Sequence, residues 1–223
     1  MDFPLATCAF RLPSAASMNL PLLIEHFGIS VSALSGVLAA RGLKVDLFGV
    51  LVLALVTAFG GGSLRDILAG DAPPLWMRSP QFLHTGVCTT LGSFFLCRRW
   101  EPRAMLLEIA DALALAFFTI VGTRKGLDHG FAIPVSVMLG VITGVAGGII
   151  RDVLLRRVPL VFQPGIYLYA TAAFIGGLAY CGLVHLCAPS VALWLAVCLT
   201  LALRLGALRY RIALPVFPPK EIP

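Results

Sequence analysis

Charge is scarce in this chain: only 13% of its 223 residues are Asp, Glu, Lys or Arg, and no polar stretch is long enough to form a separate water-soluble domain. The six cysteines (Cys8, Cys88, Cys97, Cys181, Cys187 and Cys198) show no C-x-x-C spacing, so neither a zinc site nor a disulfide framework is expected. His26, His84, His129 and His185 are scattered and lack any metal-ligand spacing; no metal and no cofactor is expected. No nucleophile, base and acid cluster together, so the chain does not read as an enzyme. The net charge of +6 calls for no nucleic acid, because anionic lipid at a membrane surface is a sufficient partner.

Apolar residues are abundant instead. They make up 59% of the chain, with a mean hydropathy of +0.93, which marks an all-α integral membrane protein. Seven apolar runs approach the length of about 20 residues that a helix needs to cross a bilayer. They fall at roughly 20–40, 47–68, 80–97, 105–123, 131–154, 164–186 and 190–208. Short polar connections such as "GTRKGLDHG" separate them, which predicts one compact helical bundle. Residues 1–17, broken by Pro4 and Pro13, are expected to be a disordered extension, and residues 210–223 a cytoplasmic tail.

Cytoplasmic loops are enriched in Lys and Arg. With seven spans, five basic residues fall on the N-terminal side of the membrane and twelve on the other. The N-terminus is therefore expected outside and the C-terminus in the cytoplasm.

The stretch "AFGGGSLRDILAGDAP" (Ala58 to Pro73) returns as "GVAGGIIRDVLLRRVP" (Gly144 to Pro159), at an offset of 86 residues between Arg65 and Arg151. The same offset pairs Thr57 with Thr143, Gly61 with Gly147, Gly62 with Gly148, Asp66 with Asp152, Pro73 with Pro159, Gly36 with Gly122 and Glu25 with Asp111. The repeats are 18–105 and 106–186, with a seventh span at 187–209 that has no counterpart. Each repeat holds three spans, an odd number, so the second copy must insert upside down. The halves are then related by a two-fold axis in the membrane plane.

Glycine weakens a helix interior by about 1 kcal/mol relative to Ala. Two readings fit its repeated use: bends that line a wet cavity, or close packing of neighbouring helices. Recurrence with the charge pairs favours the first. Gly60, Gly61 and Gly62 on one span and Gly147 and Gly148 on the other are expected to bend their helices, with Ser63, Thr57 and Thr143 beside them; Ala146 stands where the first copy has a glycine, and its methyl is expected to narrow or stiffen that half of the path. Thr57, Gly61 and Arg65 share one helix face, as do Thr143, Gly147 and Arg151. Two such faces opposed would line an hourglass path, with Arg65, Asp66, Arg151 and Asp152 at its mouths. The arginines are expected to reach partly toward the headgroups, and because neighbours at i, i+1 do not face each other, each Asp should bond elsewhere. Glu25 and Asp111 are candidate intramembrane acids. Trp76, Trp100, Tyr167, Tyr169 and Tyr210 read as interfacial anchors.

The doubled Gly-Gly-x-x-Arg-Asp motif, with Val158-Pro159-Leu160 downstream, resembles the prokaryotic branch of the trimeric intracellular cation channel (TRIC) family. The same kind of sequence is also grouped as the bacterial glycine transporter domain. That resemblance implies a homotrimer in the inner membrane of a bacterium or archaeon, with one potassium-permeable pore per protomer bounded by the kinked second and fifth spans. An alternative on the same inverted repeat is a secondary transporter of a small zwitterion such as glycine.

Overall fold

The computed structural model describes residues 15–100, 105–163 and 168–212. Most of the expected disordered extension and cytoplasmic tail lies outside these residues. Each apolar run folds as a helix, the one open-ended structure that satisfies its own backbone polar groups without water. The helices are α1 (Ala15–Ala40), α2 (Leu47–Leu68), the single turn α3 (Leu75–Arg78), α4 (Pro80–Arg99), α5 (Met105–Asp128), α6 (Ile133–Leu154), α7 (Tyr169–Leu183) and α8 (Pro189–Tyr210). Five of them, α1, α2, α5, α6 and α8, are long and apolar enough to cross a membrane. α4 has the length but not the apolarity, and α7 has the apolarity but only 15 residues.

The chain departs from the expected boundaries at α5. "GTRKGLDHG" was expected as a connection, yet the helix continues through Arg124 and Lys125 to Asp128. Charged side chains can project from the last turn of a helix that has left the apolar region. Gly130, at φ 75°, stops it, with the Phe131 amide bonding back to the Gly126 carbonyl. The two repeats end their central helices in the same way. After α2, Gly70 (φ 72°) lets the Asp71 amide reach the Asp66 carbonyl; after α6, Arg156 (φ 55°) lets Arg157 reach Asp152. A side chain in that left-handed conformation costs about 1–2 kcal/mol, which glycine avoids. Arg156→Gly should therefore raise the midpoint of thermal unfolding in detergent, whereas Gly70→Ala should lower it.

α1 packs on α2 and α4, and α5 packs on α6 and α7, so each repeat forms a three-helix unit. α8 lies against α5 and α7, where Ala192, Leu193, Ala196 and Val197 bury themselves on Ala116, Phe117, Ile120 and Tyr180. The units meet chiefly through α2 against α6 and α1 against α5.

Contacts at that junction are reciprocal. A Cβ placed on Gly61 would overlap the carbonyl oxygen of Thr143, and one on Gly147 would overlap the carbonyl oxygen of Thr57. Residue i touching j′ while j touches i′ is the mark of a two-fold relation, and the 86-residue offset exchanges the two contacts. Within the units the same offset holds: Gly36 lies against Ala54 and Thr57, and Gly122 against Gly140 and Thr143. The glycines at 61 and 147 sit where the α2 and α6 backbones come into direct contact, and both helices run as unbroken α-helix through them.

Candidate functional site

The two Arg-Asp motifs build matching ion-pair clusters. Arg65 Nε donates to Asp66 Oδ1 at 2.9 Å and its Nη1 donates to Glu25 Oε1 at 3.2 Å. In the second unit, Arg151 Nε donates to Asp152 Oδ1 at 2.8 Å and Nη1 donates to Asp111 Oδ1 at 2.8 Å. Each guanidinium thus faces two carboxylates. Glu25 and Asp111, the acids paired by the repeat, hold equivalent places.

Two expectations need correction here. The arginines do not reach for the headgroups: Arg65 is 2% and Arg151 1% exposed. Burial is tolerated because each charge is paired and hydrogen-bonded inside the protein. The Arg and Asp at i, i+1 also do bond one another. The spacing rule governs Cβ positions, and an arginine is long enough to curl back along its own helix to its neighbour. The other oxygen of each Asp bonds elsewhere as expected: Asp66 Oδ2 accepts the Leu75 amide at 2.8 Å, and Asp152 Oδ2 accepts the Leu160 amide at 3.0 Å. Each aspartate therefore ties the end of its central helix to the segment that follows.

The clusters differ in what surrounds them. Lys125 Nζ, from the end of α5, contacts Asp66 Oδ1 at 2.8 Å and Asp71 Oδ2 at 2.5 Å, while Arg78 Nη2 pairs with Asp71 Oδ1 at 2.8 Å. A strap of alternating charge thus joins α5 to the segment after α2. Hydrogen bonds from Arg78 and then Lys125 hold the Asp71 carboxyl far below the usual carboxylate range. A carboxylate lowered on folding stabilises above its unfolded value and loses that contribution only as pH falls through the lowered one. Acidification from pH 7 to 5 should therefore leave backbone hydrogen-exchange protection of residues 69–79 unchanged after correction for intrinsic rates, whereas Lys125→Met should reduce it at both pH values.

At the Arg151 cluster, Tyr169 donates its hydroxyl to Asp111 Oδ2 at 2.6 Å, and the Arg204 guanidinium lies 4.7 Å from the centre of the Tyr169 ring. Tyr169, expected as an interfacial anchor, is 5% exposed and belongs to the site. Sequence reasoning missed both residues for one reason. Position 83, the repeat counterpart of Tyr169, is Leu, and α8 has no counterpart at all.

Between the clusters lies a cavity of about 10 Å³, lined by Ser32, Ser35, Thr57, Thr143, Asp111 and the glycines 61, 144, 147 and 148. That is room for about one water. Thr57 and Thr143 donate their hydroxyl hydrogens to the carbonyls of Leu53 and Leu139, both at 2.6 Å. Their oxygen lone pairs are left for the cavity. On the Arg65 side a second cavity of about 20 Å³ touches Gly62, Glu25, Arg65 and Asp66, and a wider vestibule of about 270 Å³ is bounded by Glu25, Arg65, Arg124, Lys125, Asp128 and His129. The three cavities therefore decrease in volume from the Arg65 side to the glycine crossing. Ser63 and Gly60 stand apart from the central cavity: the Ser63 hydroxyl accepts the Trp76 indole N–H at 3.0 Å, and Gly60 faces Ile150. Ala146, the repeat counterpart of Gly60, is buried but does not line the cavity either. His84 is exposed on α4.

A family model described as Glycine transporter matches the chain twice, at residues 22–98 and 108–185, with starts 86 residues apart like the motifs. The chain belongs to that family. Glycine transporter family relatives include a UPF0126 membrane protein of Vibrio cholerae, 41% identical over 92% of this chain and 85% of its own length. Another is the UPF0126 inner membrane protein YadS of Escherichia coli, 39% identical over 87% of this chain and 94% of its own length. Among solved structures, the TRIC trimeric intracellular cation channel orthologue from Rhodobacter sphaeroides superposes with a TM-score of 0.81 at 27% identity, covering 86% of this chain and 98% of that one. A second structure, described under conductance through TRIC cation channels, gives a TM-score of 0.80 at 32% identity, covering 90% and 98%. The glycine transporter family chain is thus an all-helical membrane protein with the fold of prokaryotic TRIC channels.

Proposed function

We propose that the protein is a potassium-permeable monovalent cation channel of a bacterial inner membrane, a homotrimer with a separate pathway in each protomer between α2 and α6. The observation that carries this reading is the chemistry of the central cavity. Hydroxyl oxygens whose hydrogens are bonded elsewhere, together with the Asp111 carboxylate, offer a cation replacements for its water. The two buried arginines do not oppose a cation, because each is matched by two carboxylates. The narrow cavity at the crossing corresponds to a closed pathway that opens when α2 and α6 separate.

In the seven-span arrangement α4 and α7 also cross, and the N-terminus lies outside. Arg65, Arg151 and Arg204 belong to the protein interior and leave the charge count. The remaining basic residues still favour the C-terminal side, four against ten. The cytoplasmic face then meets anionic lipid. Likeness to TRIC channels points to a channel rather than an enzyme. The family description supports one other reading, a carrier of glycine or a similar zwitterion. Liposomes made from one preparation separate the two: rapid potassium flux with no saturable uptake of radiolabelled glycine supports the channel, and saturable, competed glycine uptake without potassium flux supports the carrier.

A further inference from the structure

The central cavity does not obey the two-fold relation that governs the helices around it. Ser32, Asp111, Ala114 and Gly148 line it beside the Arg151 cluster. The 86-residue offset carries these four to Phe118, Glu25, Gly28 and Gly62. An acid and a glycine are kept in the other half, but a serine and an alanine give way to a phenylalanine and a glycine. The Phe118 ring, on α5, is seated against Gly28 of α1: a Cβ at position 28 would come within 3.2 Å of it, so the glycine leaves the room that the ring takes. Phe118 is 6% exposed and lines both the central cavity and the 20 Å³ cavity beside Arg65. Among the described residues no other lines both.

The exchange changes the chemistry of the wall. Ser32 donates its hydroxyl hydrogen to the Thr57 carbonyl at 3.0 Å, which leaves its oxygen lone pairs for the cavity. Phe118 has no lone pair to replace a cation's water, and on the Arg65 side it is joined by apolar Ile29, Ala58 and Phe82. Apolar constrictions close ion pathways by excluding water. From this we infer that Phe118 is the barrier between the Arg65-side cavity and the central cavity, a closed gate whose ring must leave Gly28 before a cation passes. The inference rests on the channel reading above. It adds to the crossing of α2 and α6 a second barrier, carried by α5 against α1.

The Arg151 side supplies the test, because the fold already accommodates its pair of residues. Phe118→Ser combined with Gly28→Ala copies that pair into the Arg65 side, and removing the ring makes room for the added methyl. Phe118→Leu is the milder variant, which stays apolar and changes volume least. Each purified full chain, its helix content checked by circular dichroism, is placed in potassium-loaded liposomes. The double variant should release potassium about tenfold faster than the wild type or more, with Phe118→Leu between them. If the double variant loses helix content, Phe118→Leu alone decides. Wild-type flux that no folded variant exceeds would overturn the assignment of Phe118 and leave the channel reading standing. No potassium flux from the wild type or from any folded, inserted variant would overturn the channel reading itself, and the gate with it.

Discussion

Asp111→Ala should destabilise the protein severely, by about 3–5 kcal/mol, the cost of stranding a buried charge whose partner has been removed. Asp111 is 4% exposed and accepts both the Arg151 guanidinium and the Tyr169 hydroxyl. Without it, Arg151 keeps only Asp152 and the Ser35 hydroxyl, and Tyr169 loses its acceptor. Denaturation in detergent, followed by circular dichroism, measures the loss. Glu25→Ala is the matched comparison. Glu25 is 15% exposed and borders the vestibule, where water can take over its role toward Arg65, so its loss should cost clearly less. Asp111→Asn keeps the shape and the acceptor oxygen while removing a negative charge from the cavity. It should fold and carry less potassium current. Equal costs for the Asp111 and Glu25 truncations would mean that the two clusters are equally wet, contrary to their burial.

The second large effect lies at the crossing of α2 and α6. Gly61→Ala and Gly147→Ala should each cost about 1–3 kcal/mol, as overpacking does, because the added methyl would overlap a backbone carbonyl that cannot move aside without its helix. Their neighbours behave differently. A methyl on Gly62 or Gly148 finds its closest atoms at 3.8 and 3.4 Å, which is ordinary contact. Gly62→Ala and Gly148→Ala should therefore be neutral or gain up to about 1 kcal/mol of helix propensity. Midpoints of unfolding for the four variants test the contrast. If all four shift alike, the crossing is looser than the backbone positions imply.

Much of this arrangement was legible in the sequence because it is repeated. One offset of 86 residues paired Arg65 with Arg151 and Glu25 with Asp111, and each acid lies 40 residues before its arginine in the folded ion pair. The long apolar runs marked the helices for a simpler reason, since hydrocarbon leaves the backbone few alternatives. What the repeat does not duplicate was hidden. Tyr169 and Arg204 reach Asp111 through positions with no partner in the first unit, and a tyrosine near a span end is indistinguishable by composition from an interfacial anchor. Apolar length also misplaced the end of α5, because polarity marks the edge of the hydrocarbon and not the end of a helix. The glycines were ambiguous in principle. A missing side chain admits a bend and a neighbouring backbone equally well, and only the position of Thr57 and Thr143 across the crossing shows which neighbour occupies the space.

The most direct test of the central claim is single-channel recording of the purified protein in planar bilayers under a potassium chloride gradient. A cation pathway between α2 and α6 predicts discrete current steps that reverse near the potassium equilibrium potential and that fall in Asp111→Asn. Bilayers that stay silent with correctly folded, inserted protein, or steps that reverse near the chloride potential, would contradict it.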